Sequence, residues 1–174
     1  MRTVPLVQKC TSREGACDQI REWQRAGLKV GFTSGVFDLL HAGHVDYLEE
    51  AARACDRLVI AVNSDASVRK IKGDKRPICS EQGRQQVLAA LACVDLVFPF
   101  DEPNNNVNVE VLRPDLYIKA GDYNPEKLTS GGIVEAQGGK VLISVSSLFP
   151  VSCLPEGWQK GQVPVSYCKN NQHI

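Results

Sequence analysis

The sequence has no excess of charge of either sign, because its 20 lysines and arginines are balanced by 20 aspartates and glutamates. General nucleic-acid binding, or binding to an anionic membrane surface, requires a basic excess that this chain lacks. The sequence also has no apolar run near the roughly 20 residues that cross a bilayer as a helix. We therefore expect neither nucleic acid nor a membrane among its partners.

Paired cysteines are missing as well. The seven cysteines are odd in number and form no C-x-x-C pair, and several lie in apolar segments, among them Cys17, Cys55 and Cys93. This pattern is typical of buried, reduced thiols rather than of a disulfide framework. The first ten residues, MRTVPLVQKC, lack the apolar core of a secretory signal. Together these features predict a cytoplasmic protein.

Apolar, strand-like runs alternate with helical patterns along the chain. Strands are predicted over residues 28–33, 57–62, 95–100, 116–119 and 140–145. Helices are predicted over residues 13–26 behind a capping box of Thr11 and Glu14, from 44 onward, over 80–92, and in a short segment ending at 112. This order predicts an α/β fold with a doubly wound, Rossmann-like, parallel five-stranded sheet.

The length of 174 residues and the 43% hydrophobic content are sufficient for one well-buried domain. We place that domain at residues 1–145. Residues 146–174 are predicted to form an irregular C-terminal tail, because prolines and glycines interrupt them and the apolar period disappears.

The stretch 28–47, LKVGFTSGVFDLLHAGHVDY, carries the most informative pattern. A buried strand is followed by a turn and then by a helical period. His41 and His44 project to one side of the helix start, and Gly43 between them leaves the backbone open to a ligand. Backbone N–H groups, the positive end of the helix dipole and imidazole donors together predict a phosphate site.

Three other interpretations of this histidine pair stay open. The pair could ligate a metal, but the third histidine, His173, lies at the chain end, and zinc takes three or four ligands. Both residues could simply begin a helix. A dinucleotide-binding turn would need the spacing G-x-G-x-x-G, which GFTSG does not have. We favour phosphate handling and predict no metal ligands in the protein.

Two more polar segments are predicted to follow strands, at the edge where open α/β sheets bind ligands. The tripeptide 63–65, Asn-Ser-Asp, comes directly after the second strand. Lys119 ends the fourth strand and precedes Gly121 and Asp122. A buried strand seldom ends in lysine by chance, because an unpaired buried ammonium is costly. The tripeptide could also be a turn that caps the next helix.

Residues 69–76 concentrate positive charge on this neutral chain, with five basic side chains against Asp74. A solvated loop is the usual meaning of such a run. Gly73 and Pro77 punctuate it, however, so we favour a flap that closes over phosphates. Arg84, on the next predicted helix, is placed where it could reach back to the same ligand.

These segments together resemble a known family. GVFDLLHAGH is similar to the GxFDxxHxGH signature of the cytidylyltransferase-like nucleotidyltransferases, and NSD (63–65), KGDKRP (72–77) and KAGDY (119–123) follow in the family's order. The resemblance covers residues 12–145. The motifs are most similar to those of members that transfer AMP from ATP to heptose 1-phosphate, giving ADP-heptose and pyrophosphate.

The resemblance implies an HxGH-type nucleotidyltransferase fold, with ATP and a sugar phosphate as partners and Mg²⁺ held mainly through substrate phosphates. It implies catalytic roles for His41, His44 and Lys72. It assigns Asp38 either to substrate contact or to orientation of the loop, and leaves a homo-oligomer open. The nucleotide or substrate contacts that it implies come from Thr33, Gly35, Val36, Phe37, Asp38, Gly43, Asn63, Asp65, Lys75, Arg76, Arg84, Lys119, Gly121 and Asp122.

After residue 145 the resemblance ends. Members of the family carry there a Ser/Thr-Thr-x-Ile motif that opens a helix and helps to bind the triphosphate, whereas this tail has Pro150, Pro155 and Pro164. The departure predicts weak nucleotide binding and slow turnover. Two other functions therefore stay open: a cytidylyltransferase for a small alcohol phosphate, and a nucleotide-binding module with impaired catalysis.

Overall fold

Five parallel strands form the centre of the computed structural model, which describes residues 6–120 and 129–144. The strands are β1 (Val30–Gly35), β2 (Arg57–Asn63), β3 (Leu96–Phe100), β4 (Leu116–Ala120) and β5 (Lys140–Ser144). The helices are α1 (Leu6–Lys9), α2 (Arg13–Arg25), α3 (Ala42–Arg53), α4 (Asp65–Lys72), α5 (Glu81–Ala90), α6 (Asn106–Leu112) and α7 (Thr129–Ala136).

The sheet has the order β3-β2-β1-β4-β5, and every neighbouring pair of strands is parallel. The chain builds outward from β1 to β3 and then crosses to the other side of β1 to form β4. The strand order therefore reverses between β1 and β4. In open α/β sheets, ligands bind beyond the carboxyl ends of the strands at such a reversal.

Apolar side chains pack against both faces of the sheet. On one face, α2, α6 and α7 pack through residues that include Ile20, Leu112 and Val134. On the other face, α3 and α5 pack through residues that include Leu48 and Leu88. Six of the seven residues of β2 are buried, as expected for a strand covered on both sides. The predicted doubly wound, Rossmann-like, five-stranded parallel sheet is confirmed.

The segment after the first strand begins later in the chain than predicted. Ser34 and Gly35 pair with Ala61 and Val62 of β2, so the backbone stays extended where we expected a turn. The following helix begins earlier than predicted, at Ala42. Only six residues, 36–41, therefore connect β1 to α3.

Two helix details also differ from the predictions. The N-cap of α2 is Ser12, whose side chain accepts a hydrogen bond from the N–H of Gly15 at 3.2 Å, rather than the predicted box of Thr11 and Glu14. On α5, the helical period predicts Val87, Leu88 and Leu91 on the buried side, but 51% of the surface of Val87 is exposed. Leu88 is buried, as predicted.

The basic run 69–76 is not one continuous loop. Arg69, Lys70 and Lys72 lie in the last turn of α4, where the helix dipole favours positive side chains. Gly73, with a φ of 89°, follows the helix in a conformation that suits glycine. The predicted flap is therefore limited to residues 73–77.

Helix α7 was not predicted, because its sequence, TSGGIVEA, contains two adjacent glycines that disfavour a helix. Gly121 and Asp122, the predicted domain boundary at residue 145, and the whole tail lie outside the described residues. In the described ranges, no helix combines the length and apolar character that a membrane crossing needs.

Candidate active site

A cavity of about 320 Å³ opens beyond the carboxyl ends of β1 and β4, where the strand order reverses. It brings together the end of β1, the start of α3 and the end of β4. Its walls are formed by Ser34, Gly35, Val36, Phe37, His41, Gly43, His44, Tyr47, Lys119 and Ala120. Seven of these ten were predicted site residues, so the sequence motifs and the cavity indicate the same location.

The two histidines lie side by side at the N-terminus of α3. His41 is the N-cap, and the ring centroids of His41 and His44 are 4.0 Å apart. The backbone N–H of His41 donates a long hydrogen bond, 3.4 Å, to Nδ1 of His44. Because Nδ1 accepts, Nε2 of His44 carries the proton and can donate it to a ligand oxygen.

The environment of His44 favours its neutral form. Burial lowers the pKa of this imidazole below its ordinary value, and the neighbouring His41 lowers it further. The ring of Phe37 covers one side, with its centroid 5.6 Å from that of His44. His44 is therefore a half-buried N–H donor at neutral pH.

Phe37 has an unusual backbone conformation. Its φ is 49°, in the left-handed region, which costs a non-glycine residue about 1–3 kcal/mol. Its ring lies over Gly35, where an added Cβ would be only 3.0 Å from Cε2 of Phe37. Glycine at position 35 makes this close approach possible, and the ring is held between Gly35 and His44.

Lys119, at the end of β4, brings a buried positive charge to the cavity. Only 8% of its surface is exposed. Its Nζ donates a hydrogen bond of 2.9 Å to Oγ of Ser34 and lies 5.2 Å from the ring centroid of Tyr117. Burial lowers the pKa of Lys119 to about 8. An anion in the cavity would stabilise the ammonium form and raise this pKa.

Below the cavity, Tyr47 and Thr33 form a buried hydroxyl pair. The two oxygens are 2.6 Å apart, and the Tyr47 hydroxyl donates to the carbonyl of Ile118 at 3.1 Å. The hydroxyl of Thr33 therefore donates to Tyr47. This pair ties α3 to β1 and β4, and it leaves Thr33 outside the cavity lining.

A second group of charges lies behind the segment that joins β1 to α3. Oδ1 of Asp38 accepts hydrogen bonds from the backbone N–H groups of Ile78 (2.7 Å) and Cys79 (3.0 Å), and Oδ2 pairs with Nε of Arg76 at 2.9 Å. Burial alone would raise the pKa of Asp38, but these two hydrogen bonds, with Arg76 and Arg84 nearby, lower it. This placement favours the loop-orienting role among the two predicted for Asp38.

Arg84 is the largest fully buried side chain among the described residues. Its Nη1 donates to the carbonyl of Val36 (2.6 Å), its Nε to the carbonyl of Cys79 (3.0 Å), and its Nη2 to Oδ1 of Asp65 (2.8 Å). All three nitrogens are therefore engaged by protein acceptors. Beside it lies a mainly apolar cavity of about 290 Å³, separated from the first by Phe37.

The remaining predicted residues that the structure describes lie outside the first cavity. The side-chain amide of Asn63 donates to Oγ of Ser67 at 3.0 Å, and Asp65 pairs with Arg84. Lys72 and Lys75 are exposed. Their predicted roles, like those of the other site residues, stay predictions.

Three residues of the cavity wall, Ser34, Tyr47 and Ala120, were missed. Tyr47 could have been found, because it lies four residues after Gly43 and therefore on the same side of the helix. Ser34 was missed because a turn was predicted after residue 33. Only its pairing with Ala61 of β2 makes it part of β1.

The fold is that of a nucleotidyltransferase, and the chain belongs to the cytidylyltransferase-like family, which it matches over residues 32–148. It is 46% identical over 140 residues to the bifunctional protein HldE of Caulobacter sp. (strain K31). It is 48% identical over 136 residues to the bifunctional protein HldE of Caulobacter vibrioides. The family predicted from the motifs is confirmed, and with it a nucleotide-binding transferase.

These two alignments cover 80% and 78% of this chain but only 29% and 28% of the relatives. The chain thus spans less than a third of their length. Among solved structures, it is similar to a lipopolysaccharide core biosynthesis protein from Thermoplasma volcanium GSS1, with a TM-score of 0.56 and 28% identity over 67% of this chain and 94% of that one.

Proposed function

We propose that this chain transfers AMP from ATP to a sugar 1-phosphate, with heptose 1-phosphate as the preferred acceptor, and releases an ADP-sugar and pyrophosphate. The observation that carries the proposal is the cavity that holds His41, His44 and Lys119 together at the reversal of strand order. Imidazole N–H groups and a buried ammonium are donors suited to phosphate oxygens.

The reaction is a single in-line displacement. A phosphate oxygen of the acceptor forms a bond to the α-phosphorus of ATP, and the bond from that phosphorus to the oxygen bridging to the β-phosphate breaks. Pyrophosphate leaves with the electron pair. Because the acceptor phosphate is already ionised, the protein needs to supply positioning and charge stabilisation rather than a base.

Each cavity donor has a distinct part in this scheme. Nε2 of His44 donates to an oxygen on which negative charge grows in the transition state, and His41, 4.0 Å away, donates beside it. Lys119 adds a full positive charge from beneath. The exposed ammonium groups of Lys72 and Lys75 act on the outer phosphates as these enter from solvent, which agrees with their position outside the cavity lining.

Mg²⁺ is proposed to accompany the nucleotide and to neutralise charge on its phosphates. Within residues 6–120 and 129–144, no group of three or more His, Cys, Asp or Glu side chains could hold a metal ion. The donors that line the cavity also suit phosphate oxygens better than a cation. We propose that the metal would be held mainly through the substrate phosphates.

Product analysis tests the proposal. The full chain is incubated with ATP or CTP and with heptose 1-phosphate, glucose 1-phosphate or glycerol 3-phosphate, and ³¹P NMR follows the products. We expect pyrophosphate and an ADP-sugar from ATP and heptose 1-phosphate. A double variant, His41→Ala/His44→Ala, controls for contaminating activity.

The other outcomes of this panel each refute the proposal in a specific way. Product only from CTP and glycerol 3-phosphate would establish the cytidylyltransferase alternative. Nucleotide binding with no product from any pair would establish a binding module with impaired catalysis, as the proline-containing tail suggests.

A further inference from the structure

A continuous series of contacts joins Arg84 to the imidazole of His44. Nη1 of Arg84 donates to the carbonyl of Val36, Phe37 follows with its left-handed backbone, and the ring of Phe37 lies against His44. We propose that Arg84 is a positioning residue for His44, acting through Val36 and Phe37. The inference rests on the role proposed above for His44, and it deepens that role.

Arg84 is suited to hold a backbone group in a fixed position. None of its side chain is exposed, and two of its three engaged nitrogens are anchored outside the signature segment, on Cys79 and on Asp65 at the start of α4. The planar guanidinium presents its donors in a rigid fork. With two acceptors fixed, the third donor is directed at the carbonyl of Val36, 2.6 Å away.

The carbonyl of Val36 matters because it belongs to the same peptide plane as the N–H of Phe37. Rotation of that plane changes the φ of Phe37, which at 49° is unfavourable for a bulky residue unless its surroundings hold it. The hydrogen bond from Arg84 opposes this rotation. It therefore keeps the ring of Phe37 over Gly35 and against His44.

This arrangement distinguishes positioning from two other roles. Direct contact of Arg84 with a ligand would require the groups that surround its fully buried side chain to move apart. A role in stability alone would leave the surroundings of His44 unchanged in a folded variant. Positioning instead predicts that weakening the hydrogen bond from Arg84 to Val36 releases the ring of Phe37 and makes His44 more accessible to water.

The first measurement is the pKa of His44 in the full chain without ligand. A pH titration followed by imidazole NMR gives this pKa, and the signal that is missing in His44→Gln is assigned to His44. Burial is the main cause of the lowered pKa, so Arg84→Lys should raise it toward its ordinary value. Phe37→Leu, which removes the ring, should raise it likewise. Arg53→Lys is the matched control, because Arg53 lies on the same helix as His44 and pairs with Glu49 at the surface.

The second measurement is the kinetic coupling of the two residues. Arg84→Lys and Phe37→Leu should each lower kcat by roughly tenfold, with a smaller change in KM for ATP, since both act on the transition-state donor. The double variant should be little worse than the worse single variant, because both substitutions interrupt one series of contacts.

An unchanged pKa of His44 in folded Arg84→Lys, or fully additive losses in the double variant, would overturn the inference. If Arg84→Lys does not fold, Asp65→Asn takes its place, since it loosens one anchor of the guanidinium, and the same two criteria apply. The titration needs no turnover. If the chain has no transferase activity but Arg84→Lys raises the pKa of His44, the proposed function is refuted and this inference is supported. If the chain is active but Arg84→Lys leaves the pKa of His44 unchanged, the proposed function is supported and this inference is refuted.

Discussion

The positive charges near the proposed phosphate site come from two regions that differ in burial. Lys119 exposes 8% of its surface and is held by Ser34 inside the cavity, whereas Lys72 and Lys75 are exposed and outside its lining. A buried charge acts through a low dielectric and is little screened. The effect of an exposed charge is weaker in water, and salt largely removes it beyond about 10 Å at 0.1 M. In the proposed function, the cavity would therefore be the preorganised part of the site, and the exposed lysines would act on the phosphates from solvent.

The largest effect should come from the cavity donors. His41→Ala and His44→Ala should each lower kcat by roughly a hundredfold or more, the usual loss when one preorganised donor is removed. The melting temperature should change little, because both side chains lie at the start of a helix that packs through other residues. Steady-state kinetics and thermal melts measure the two quantities, with His173→Ala as the control. Full activity, or unfolding, in either variant would contradict the assignment.

Lys119 should have the next largest effect on activity. A hydrogen bond to a charged group contributes about 1.5–3 kcal/mol, so Lys119→Met should lower kcat/KM for ATP roughly ten- to a hundredfold. Because the pKa of Lys119 is about 8, kcat/KM should fall as the pH rises through that value and the ammonium loses its proton. Lys119→Arg should keep the charge and remove this alkaline decline. A decline that persists in Lys119→Arg would assign it to another group.

Lys119 should also make stability depend on pH. The pKa is about 8 in the folded chain and 10.5 in the reference state, so between these values the unfolded chain binds more protons. This group therefore raises the free energy of unfolding by about 3 kcal/mol as the pH increases from about 8 to 10.5. Below pH 8, the buried ammonium destabilises the folded chain by that full amount. Urea unfolding at pH 7 and pH 10 should show that Lys119→Met is more stable than the wild type at pH 7, with the difference reduced at pH 10. Equal pH dependence in both proteins would mean that Lys119 is solvated.

The exposed basic segment should give the smallest effect, and it should depend on salt. One unit charge about 4 Å away in water contributes about 1 kcal/mol, so Lys72→Ala should lower kcat/KM roughly fivefold at low ionic strength. The loss should shrink as salt is added, whereas the loss in Lys119→Met should persist. Lys70→Ala, on the same helical turn, is the matched control for general charge. A loss that exceeds that of Lys119→Met and resists salt would place Lys72 inside the closed site.

The fold could be predicted from the sequence because the strands are built largely on apolar runs, as residues 58–62, LVIAV, in β2 show. The ends of elements were less predictable, since they depend on distant partners. Ser34 and Gly35 belong to β1 because Ala61 and Val62 pair with them. Helix α7 was missed because tertiary packing of Val134 overrides the low helix propensity of its glycines.

For the candidate site, the sequence indicated the location but not the network around it. His41, Gly43 and His44 are adjacent in the chain, so their convergence follows from local geometry. Arg84 instead contacts Val36, 48 residues away, and Asp65, 19 residues away. No local pattern encodes such contacts, which arise only when the fold closes.

Imidazole NMR during a titration with ATP and Mg²⁺, with no acceptor present, shows whether the cavity receives the phosphates of a nucleotide. We expect ATP to shift the signals of both His41 and His44, tripolyphosphate to shift them in the same direction, and adenosine to leave them unmoved. If calorimetry shows that ATP binds while both signals stay in place, or if ATP does not bind at all, the cavity is not the phosphate site.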